Sequence, residues 1–350
     1  MVEIGYKLFT EAHNPLELVQ NAKQAEAAGF SFVNITDHYH PWTGRQGHAG
    51  FAWTIIGAVA GATEQIPVST GITCPTIRYH PAIVAQAAAT AAVMLPGRFE
   101  LGVGTGEALN EHITGACFPS SENVRLAMLR EAVDIIRTLW SGGMHDYYGA
   151  FYMIDNAQVF ELPESPPRIL MAAQGTTAAQ TAGDIADGLI HFEQMPGEVL
   201  DAFRSSGGEG KPAMLEFAVC YDRDERRAKE IAYAWFPVAA NQGELNWVMP
   251  TPTHFEELAK MVTPDDVAQN VLCTSEARPL IDKIGRASDM GYDRVVINQV
   301  GPNQQEFITF MRDNVLPEFG LSAPSREVPG AEERLPPEPA VQSIPGGQRP

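Results

Sequence analysis

Phe99-Glu100-Leu101-Gly102-Val103-Gly104-Thr105-Gly106-Glu107-Ala108-Leu109-Asn110 runs from a short apolar stretch through three alternating glycines into a helix-forming segment. Read alone, the glycines resemble the fingerprint of a dinucleotide-binding doubly wound sheet. Two features oppose that reading. No suitably placed acid ends a following strand to hold a ribose, and the pattern breaks after Gly106. The stretch also lies in the fourth of a series of βα units. Outward from it, short β-branched runs at 4–8, 32–36, 68–73, 99–103, 169–172, 188–190, 215–220 and 295–298 alternate with helical stretches. That rhythm predicts a parallel sheet wrapped by helices, of the α/β class. Eight strands favour a closed (β/α)8 TIM barrel with insertion segments over an open sheet.

The intervening stretches fit helices: 16–28 stops at Gly29, as a C-cap does, and 125–140 has an amphipathic pattern. Two segments interrupt the rhythm. Residues 142–158 are expected to form a hairpin, and 234–263, with Trp235, Trp247, Pro250 and Pro252, an irregular insertion suited to walling a pocket. The barrel is expected to occupy 1–320. Residues 321–350, rich in Pro, Gly and Glu, are expected to be a flexible tail.

A chain of 350 residues, 45% hydrophobic and 19% charged, has the balance of a soluble globular protein with a sizeable core. Its 43 acidic against 24 basic residues give a net charge of -19, which argues against a nucleic-acid or anionic-membrane partner. A phosphorylated ligand then needs local donors. Cys74, Cys117, Cys220 and Cys273 show no paired spacing, the N-terminus has no secretory pattern, and the Ala-rich stretch 81–95 is too short to span a bilayer. A cytoplasmic enzyme acting on a small molecule is the expectation.

In a barrel of this kind chemistry sits where strands end. The second strand ends in Thr36-Asp37-His38-Tyr39-His40-Pro41-Trp42, which brings an acid, an imidazole and an indole into one loop. His38 can take a proton from an alcohol near neutral pH, or simply pack the loop. Glu107 either points into the mouth as an acid or favours a helix N-terminus. Ala172-Ala173-Gln174-Gly175-Thr176-Thr177 offers amides to a phosphate, or ordinary capping by Thr176 or Thr177. His38, His40 and His48 lie near Asp37 without metal-ligand spacing, so no metal is expected. There is no nucleophile elbow, and Cys74 reads as a small pocket-lining residue.

Several blocks together are more specific: Gly5-Tyr6-Lys7, Asp37 to Trp42, Gln46-Gly47-His48-Ala49, Pro75-Thr76-Ile77-Arg78-Tyr79 with Pro81, and Leu101 to Glu111. Over about residues 3–320 the chain resembles the luciferase-like barrels, and within them the coenzyme F420-dependent glucose-6-phosphate dehydrogenases. The resemblance implies a deazaflavin coenzyme, a hydride moved to or from its C5, and a homodimer. It implies that His38 is the base for the substrate hydroxyl, that Trp42 steadies charge, and that Glu107 protonates the N1 side of the ring. It further implies that Asp37 supports the coenzyme region, that a non-prolyl cis peptide at Gly71-Ile72 backs the ring, and that Cys74 and Asn110 line it. Thr105 and Gly106 fall in the same rim, and Ala173, Gln174, Gly175 and Thr176 would hold the coenzyme's phosphate.

The substrate pocket departs from the family. It is assigned Glu11, Met195, Asn246, Trp247 and Asn270; Met195, Asn246 and Asn270 stand where the sugar-phosphate enzymes carry cations, and Trp247 where they carry a histidine. A neutral side chain cannot replace a charge-assisted clamp. With Phe192, these residues predict a more apolar pocket and an alcohol, carbonyl or activated alkene as substrate, and glucose 6-phosphate is not expected to be the natural one. The alternatives are a flavin (FMN) monooxygenase on the same barrel, a sugar-6-phosphate dehydrogenase with an altered phosphate site, and a coenzyme-binding module without turnover. One barrel hosts many chemistries, so fold alone does not choose among them.

Overall fold

The computed structural model describes residues 2–192, 196–241 and 243–323. Eleven strands occur among them: β1 (Glu3–Leu8), β2 (Phe32–Ile35), β3 (Val68–Thr70), β4 (Phe99–Val103), β5 (His145–Tyr148), β6 (Met153–Ala157), β7 (Arg168–Ala173), β8 (Gly188–Phe192), β9 (Ala213–Tyr221), β10 (Val271–Thr274) and β11 (Arg294–Gln299). The helices are α1 (Pro15–Ala28), α2 (Ala52–Ala62), α3 (Pro81–Met94), α4 (Ala108–Glu111), α5 (Glu122–Trp140), α6 (Thr176–Ile185), α7 (Pro196–Phe203), α8 (Glu225–Trp235), α9 (Leu245–Val248), α10 (Pro252–Ala259), α11 (Pro264–Val267), α12 (Ala277–Asp289) and α13 (Gln304–Asn314). Met195 and residues 324–350, most of the expected tail, lie outside the described residues.

Strands β1, β2, β3, β4, β7, β8, β9 and β11 pair in that order, all in parallel, and β11 pairs back onto β1. The sheet is therefore a closed eight-stranded barrel. Two shells of apolar side chains follow from strand alternation. On β1, Ile4, Tyr6 and Leu8 join the large cluster under the helices, whereas Gly5 and Lys7 face inward. The interior is plugged by Phe32, Leu170, Ile190, Met214 and Val296. Gly5 is required there, because a Cβ on it would lie 2.3 Å from the Phe32 ring.

The expected hairpin is present as the antiparallel pair β5 and β6. Segment 234–263 is less irregular than expected: it contains α9, α10 and a 3-10 turn at Pro237–Ala240. Two departures concern strands. The third strand ends at Thr70 instead of 73; the Gly71-Ile72 peptide that follows is cis, and Thr73 rejoins β4 by an isolated bridge to Val103. A Cβ on Gly71 would fall 1.8 Å from Asn34 Oδ1, so the chain must turn around that amide. Strand β10 was not expected. It lengthens the wall above β8 by pairing with Ala218–Tyr221, the upper half of β9.

Above the plug the interior turns polar. Lys7 Nζ donates to Glu216 Oε2 (2.6 Å), Asn34 Oδ1 (2.7 Å) and the Gly71 carbonyl (2.7 Å), which uses all three ammonium protons. Asn34 in turn donates to Ser69. This satisfied buried pair forms a floor tied directly to the turn after β3.

Candidate active site

The site is assembled from the C-terminal ends of β1 to β4. β1 leads into Glu11, which is fully buried. Its Oε2 accepts from Thr36 Oγ1 (2.5 Å) and Thr10 Oγ1 (3.0 Å), leaving Oε1 facing His38 Nε2 at 3.3 Å. β2 leads into His38. Its Nδ1 lies 3.1 Å from the His40 carbonyl, which can only accept, so Nδ1 carries the proton and Nε2 is the free nitrogen of the neutral ring. Nε2 also lies 3.1 Å from Glu107 Oε1.

Glu107 reaches this position through the glycine loop after β4. Gly106 has φ +80, and a Cβ there would press on Glu111 Cγ at 2.8 Å. A Cβ on Gly104 would collide with Ile72 Cδ1 at 1.9 Å. The loop therefore packs directly on the turn at Gly71-Ile72. Glu107 precedes α4 but makes no side-chain capping bond; it faces His38 and Asn110 instead. Burial foremost raises the Glu107 carboxyl above the ordinary carboxylate range and Glu11 adds to this, while His38 and Asn110 oppose it.

Asp37 points away from the imidazole. Its Oδ2 accepts from Thr73 Oγ1 (2.7 Å), and its Oδ1 from Arg78 (3.1 Å) and the Tyr79 hydroxyl (3.1 Å). Arg78 Nη2 also binds the Asp37 carbonyl at 2.7 Å, so the β2 and β3 loops are riveted together. Glu111 is fully buried beside Arg78, accepts its backbone N–H at 2.7 Å, and is raised by burial to about 7. Cys74 is buried and its thiol pushed well up, chiefly by burial and then by Glu111 and Glu107, which suits a neutral wall. Neither Arg78 nor Glu111 was given a role from sequence, because their partners lie more than thirty residues away.

Trp42 sits 5.2 Å from the His38 ring and edge-on to Phe255 at 5.1 Å. Its backbone N–H donates to Gln46 Oε1. Leu109, Val238 and Phe255 form a small core against which Trp42, Phe236 and Met249 pack. The insertion therefore reaches over to the catalytic loop, and Gly44 N–H binding Glu256 Oε1 at 2.8 Å adds a polar tie. Of the expected pocket residues, Asn246 and Trp247 are half-buried on α9, which packs beside α4. Asn246 accepts from Asn241 at 3.3 Å. Asn270 is exposed in the turn before β10.

On the opposite rim, β7 ends at Ala173 and Gly175 is the N-cap of α6 without a side-chain capping bond. Thr176 and Thr177 are the first residues of the helix, and no side chain of the N-cap residue caps its first-turn amides. Gln174 Oε1 is buried and unpartnered among the described residues, and Thr105 and Gly106 are half-buried. His38 Nδ1 and His40 Nδ1 both face carbonyls, of His40 and Leu109.

A buried acid, an imidazole whose Nδ1 faces a carbonyl and an uncapped helix start thus lie around one barrel mouth. The chain belongs to the luciferase-like monooxygenase family, whose model matches residues 2–294. It is similar to the F420-dependent glucose-6-phosphate dehydrogenases of Kribbella flavida (34% identical, covering 90% of this chain and 98% of that protein) and Tsukamurella paurometabola (34%, 89% and 96%). Among solved structures, an F420-dependent secondary alcohol dehydrogenase in complex with an F420-acetone adduct superposes with a TM-score of 0.83 at 28% identity, covering 90% and 98% of the two chains. The F420-dependent tetrahydromethanopterin reductase of Methanopyrus kandleri (TM-score 0.72, 22% identity, 91% and 99%) shares the fold.

Proposed function

We propose that this protein is a coenzyme F420-dependent oxidoreductase that interconverts a small, non-phosphorylated alcohol and its carbonyl compound, with an activated alkene as the other substrate class the pocket admits. The observation that carries the reading is His38 Nε2 held between Glu11 Oε1 and Glu107 Oε1, at 3.3 and 3.1 Å. The names of the glucose-6-phosphate and secondary alcohol dehydrogenases support the coenzyme. The residues present fit it: the glycine loop lets Ile72 pack close against Gly104 behind the mouth, and the start of α6 offers uncapped amides to a phosphate. When bound, the coenzyme supplies a two-electron hydride acceptor or donor.

In this reading, the neutral imidazole of His38 accepts the hydroxyl proton at Nε2, since its Nδ1–H is spent on the His40 carbonyl. Glu107, whose carboxyl burial raises above the ordinary range, is the proton donor at Oε1 when it carries the proton of the pair. Glu11, anchored by two threonine hydroxyls, steadies the imidazolium that forms. The apolar cluster around Trp42 excludes water and favours a substrate without a phosphate.

A second reading, a sugar-6-phosphate dehydrogenase with a rebuilt phosphate site, is favoured by the names of the relatives at 34% identity. Anaerobic titration with oxidised F420 and with FMN, followed by propan-2-ol or glucose 6-phosphate, separates the readings. Tight F420 binding and reduction by the secondary alcohol is the expected result; saturable reduction by micromolar glucose 6-phosphate favours the second reading.

Homodimerisation belongs to the same proposal. An apolar groove between α2 and α3, with Phe51, Ile83 and Met94 exposed along it, supports a covered face. Light scattering after gel filtration should give twice the chain mass.

A further inference from the structure

We propose that Asn110 is a positioning residue that locks the loop carrying His38 to the loop carrying Glu107, fixing where the base and the acid stand relative to each other. The inference rests on the roles given to His38 and Glu107 above.

Asn110 is buried on α4, one turn beyond Glu107. Its Oδ1 accepts from the Tyr39 N–H at 2.8 Å and the His40 N–H at 3.2 Å, and its Nδ2 donates to Glu107 Oε1 at 2.6 Å. Backbone N–H groups can only donate, so they fix which end of the amide is oxygen. Three of its four hydrogen-bonding positions are thereby used inside the chain.

The consequence is a short closed circuit. Tyr39 and His40 follow His38 directly, and the His40 carbonyl receives His38 Nδ1–H. Whatever holds residues 39 and 40 therefore holds the imidazole's tautomer and tilt. The circuit closes on Glu107 Oε1, which meets both Asn110 Nδ2 and His38 Nε2. His40 is also tethered through Nδ1 to the Leu109 carbonyl and stacked on His112, but neither contact involves the Glu107 carboxyl. The other charged or titratable groups acting on Glu107 are Glu11 after β1, Cys74 and Arg78 after β3, and Glu111 on its own helix. Asn110 is the neutral donor among these neighbours, and its bond favours the ionised carboxylate against the effect of burial.

Two substitutions separate the arms. Asn110→Ala removes both. Asn110→Asp keeps an acceptor for Tyr39 and His40 but replaces the donor to Glu107 with a like charge. Imidazole 15N shifts of His38 in the coenzyme-free protein report the tautomer, and the pH profile of kcat/KM for alcohol oxidation reports Glu107. The expected results are a mixed tautomer in Asn110→Ala, and in Asn110→Asp an unchanged tautomer with the basic limb raised by about 1–2 pH units. Circular dichroism and thermal melting establish that both variants fold. An unchanged tautomer in Asn110→Ala, or an unmoved basic limb in both variants, overturns the proposal even if activity falls. Failure of the underlying roles is distinguishable, because His38→Asn would then retain turnover.

Discussion

His38 Nε2 and Glu107 Oε1 stand 3.1 Å apart, and His38 Nδ1 already gives its proton to a carbonyl. Two lone pairs cannot face each other at that distance without a proton between them. The resting site therefore holds one proton on this pair, either as imidazolium with carboxylate or as imidazole with carboxylic acid. Removing the imidazole should cost kcat about a hundredfold to ten-thousandfold, the range for a general acid–base group, while F420 affinity changes little. Stopped-flow turnover and fluorescence titration of His38→Asn measure the two quantities separately.

The pH dependence follows from the carboxyl. In alcohol oxidation Glu107 must be protonated, and burial raises it above the ordinary range. The kcat/KM profile should fall at high pH as that proton is lost, with a limb above where a free glutamate titrates. In Glu107→Gln the limb should vanish and the rate drop; a limb that persists unmoved assigns it to another group.

Glu111 gives a stability prediction with a definite sign. Its carboxyl is raised in the fold to about 7, mainly by burial. A raised acid contributes stability that is full below its unfolded value and lost as pH rises through the folded one. Thermal midpoints should therefore decline between about pH 5 and pH 8, where an ordinary carboxylate is already ionised. The decline should be shallower in Glu111→Gln, as read by calorimetry across that window.

The Lys7–Glu216 floor predicts an asymmetry between single and double variants. Lys7→Met strands the Glu216 carboxylate in the barrel interior and should cost about 3–5 kcal/mol in denaturant unfolding. Replacing both partners with apolar side chains should recover much of that loss. Coenzyme affinity should nevertheless stay reduced in the double variant, because the Gly71 carbonyl has lost its donor.

The alternation around residues 99–110 carried the barrel, because buried parallel strands read as compact β-branched runs wherever they occur. Strand β10 escaped notice: it is four residues long, lies between α11 and α12, and pairs with the upper half of β9. The position of His38 and Glu107 at strand ends was legible from loop order. Their meeting, the tethering of Glu11 by Thr10 and Thr36, and the turn of Asp37 toward Arg78 were not. The Thr36–Glu11, Arg78–Asp37 and His38–Glu107 contacts span 25, 41 and 69 residues, and no local periodicity encodes them. Asn110 was expected to line the ring, and a single sequence gives no sign that its amide ties two loops together.

The most direct measurement is anaerobic single-turnover reduction of F420 by propan-2-ol and by its 2-deuterated form, in the wild type, His38→Asn and Glu107→Gln. The expected result is F420 reduction by the wild type with a primary isotope effect, and loss of turnover in both variants with the coenzyme still bound. Wild-type rates in His38→Asn, or binding of FMN in place of F420, would contradict the assignment of this pair.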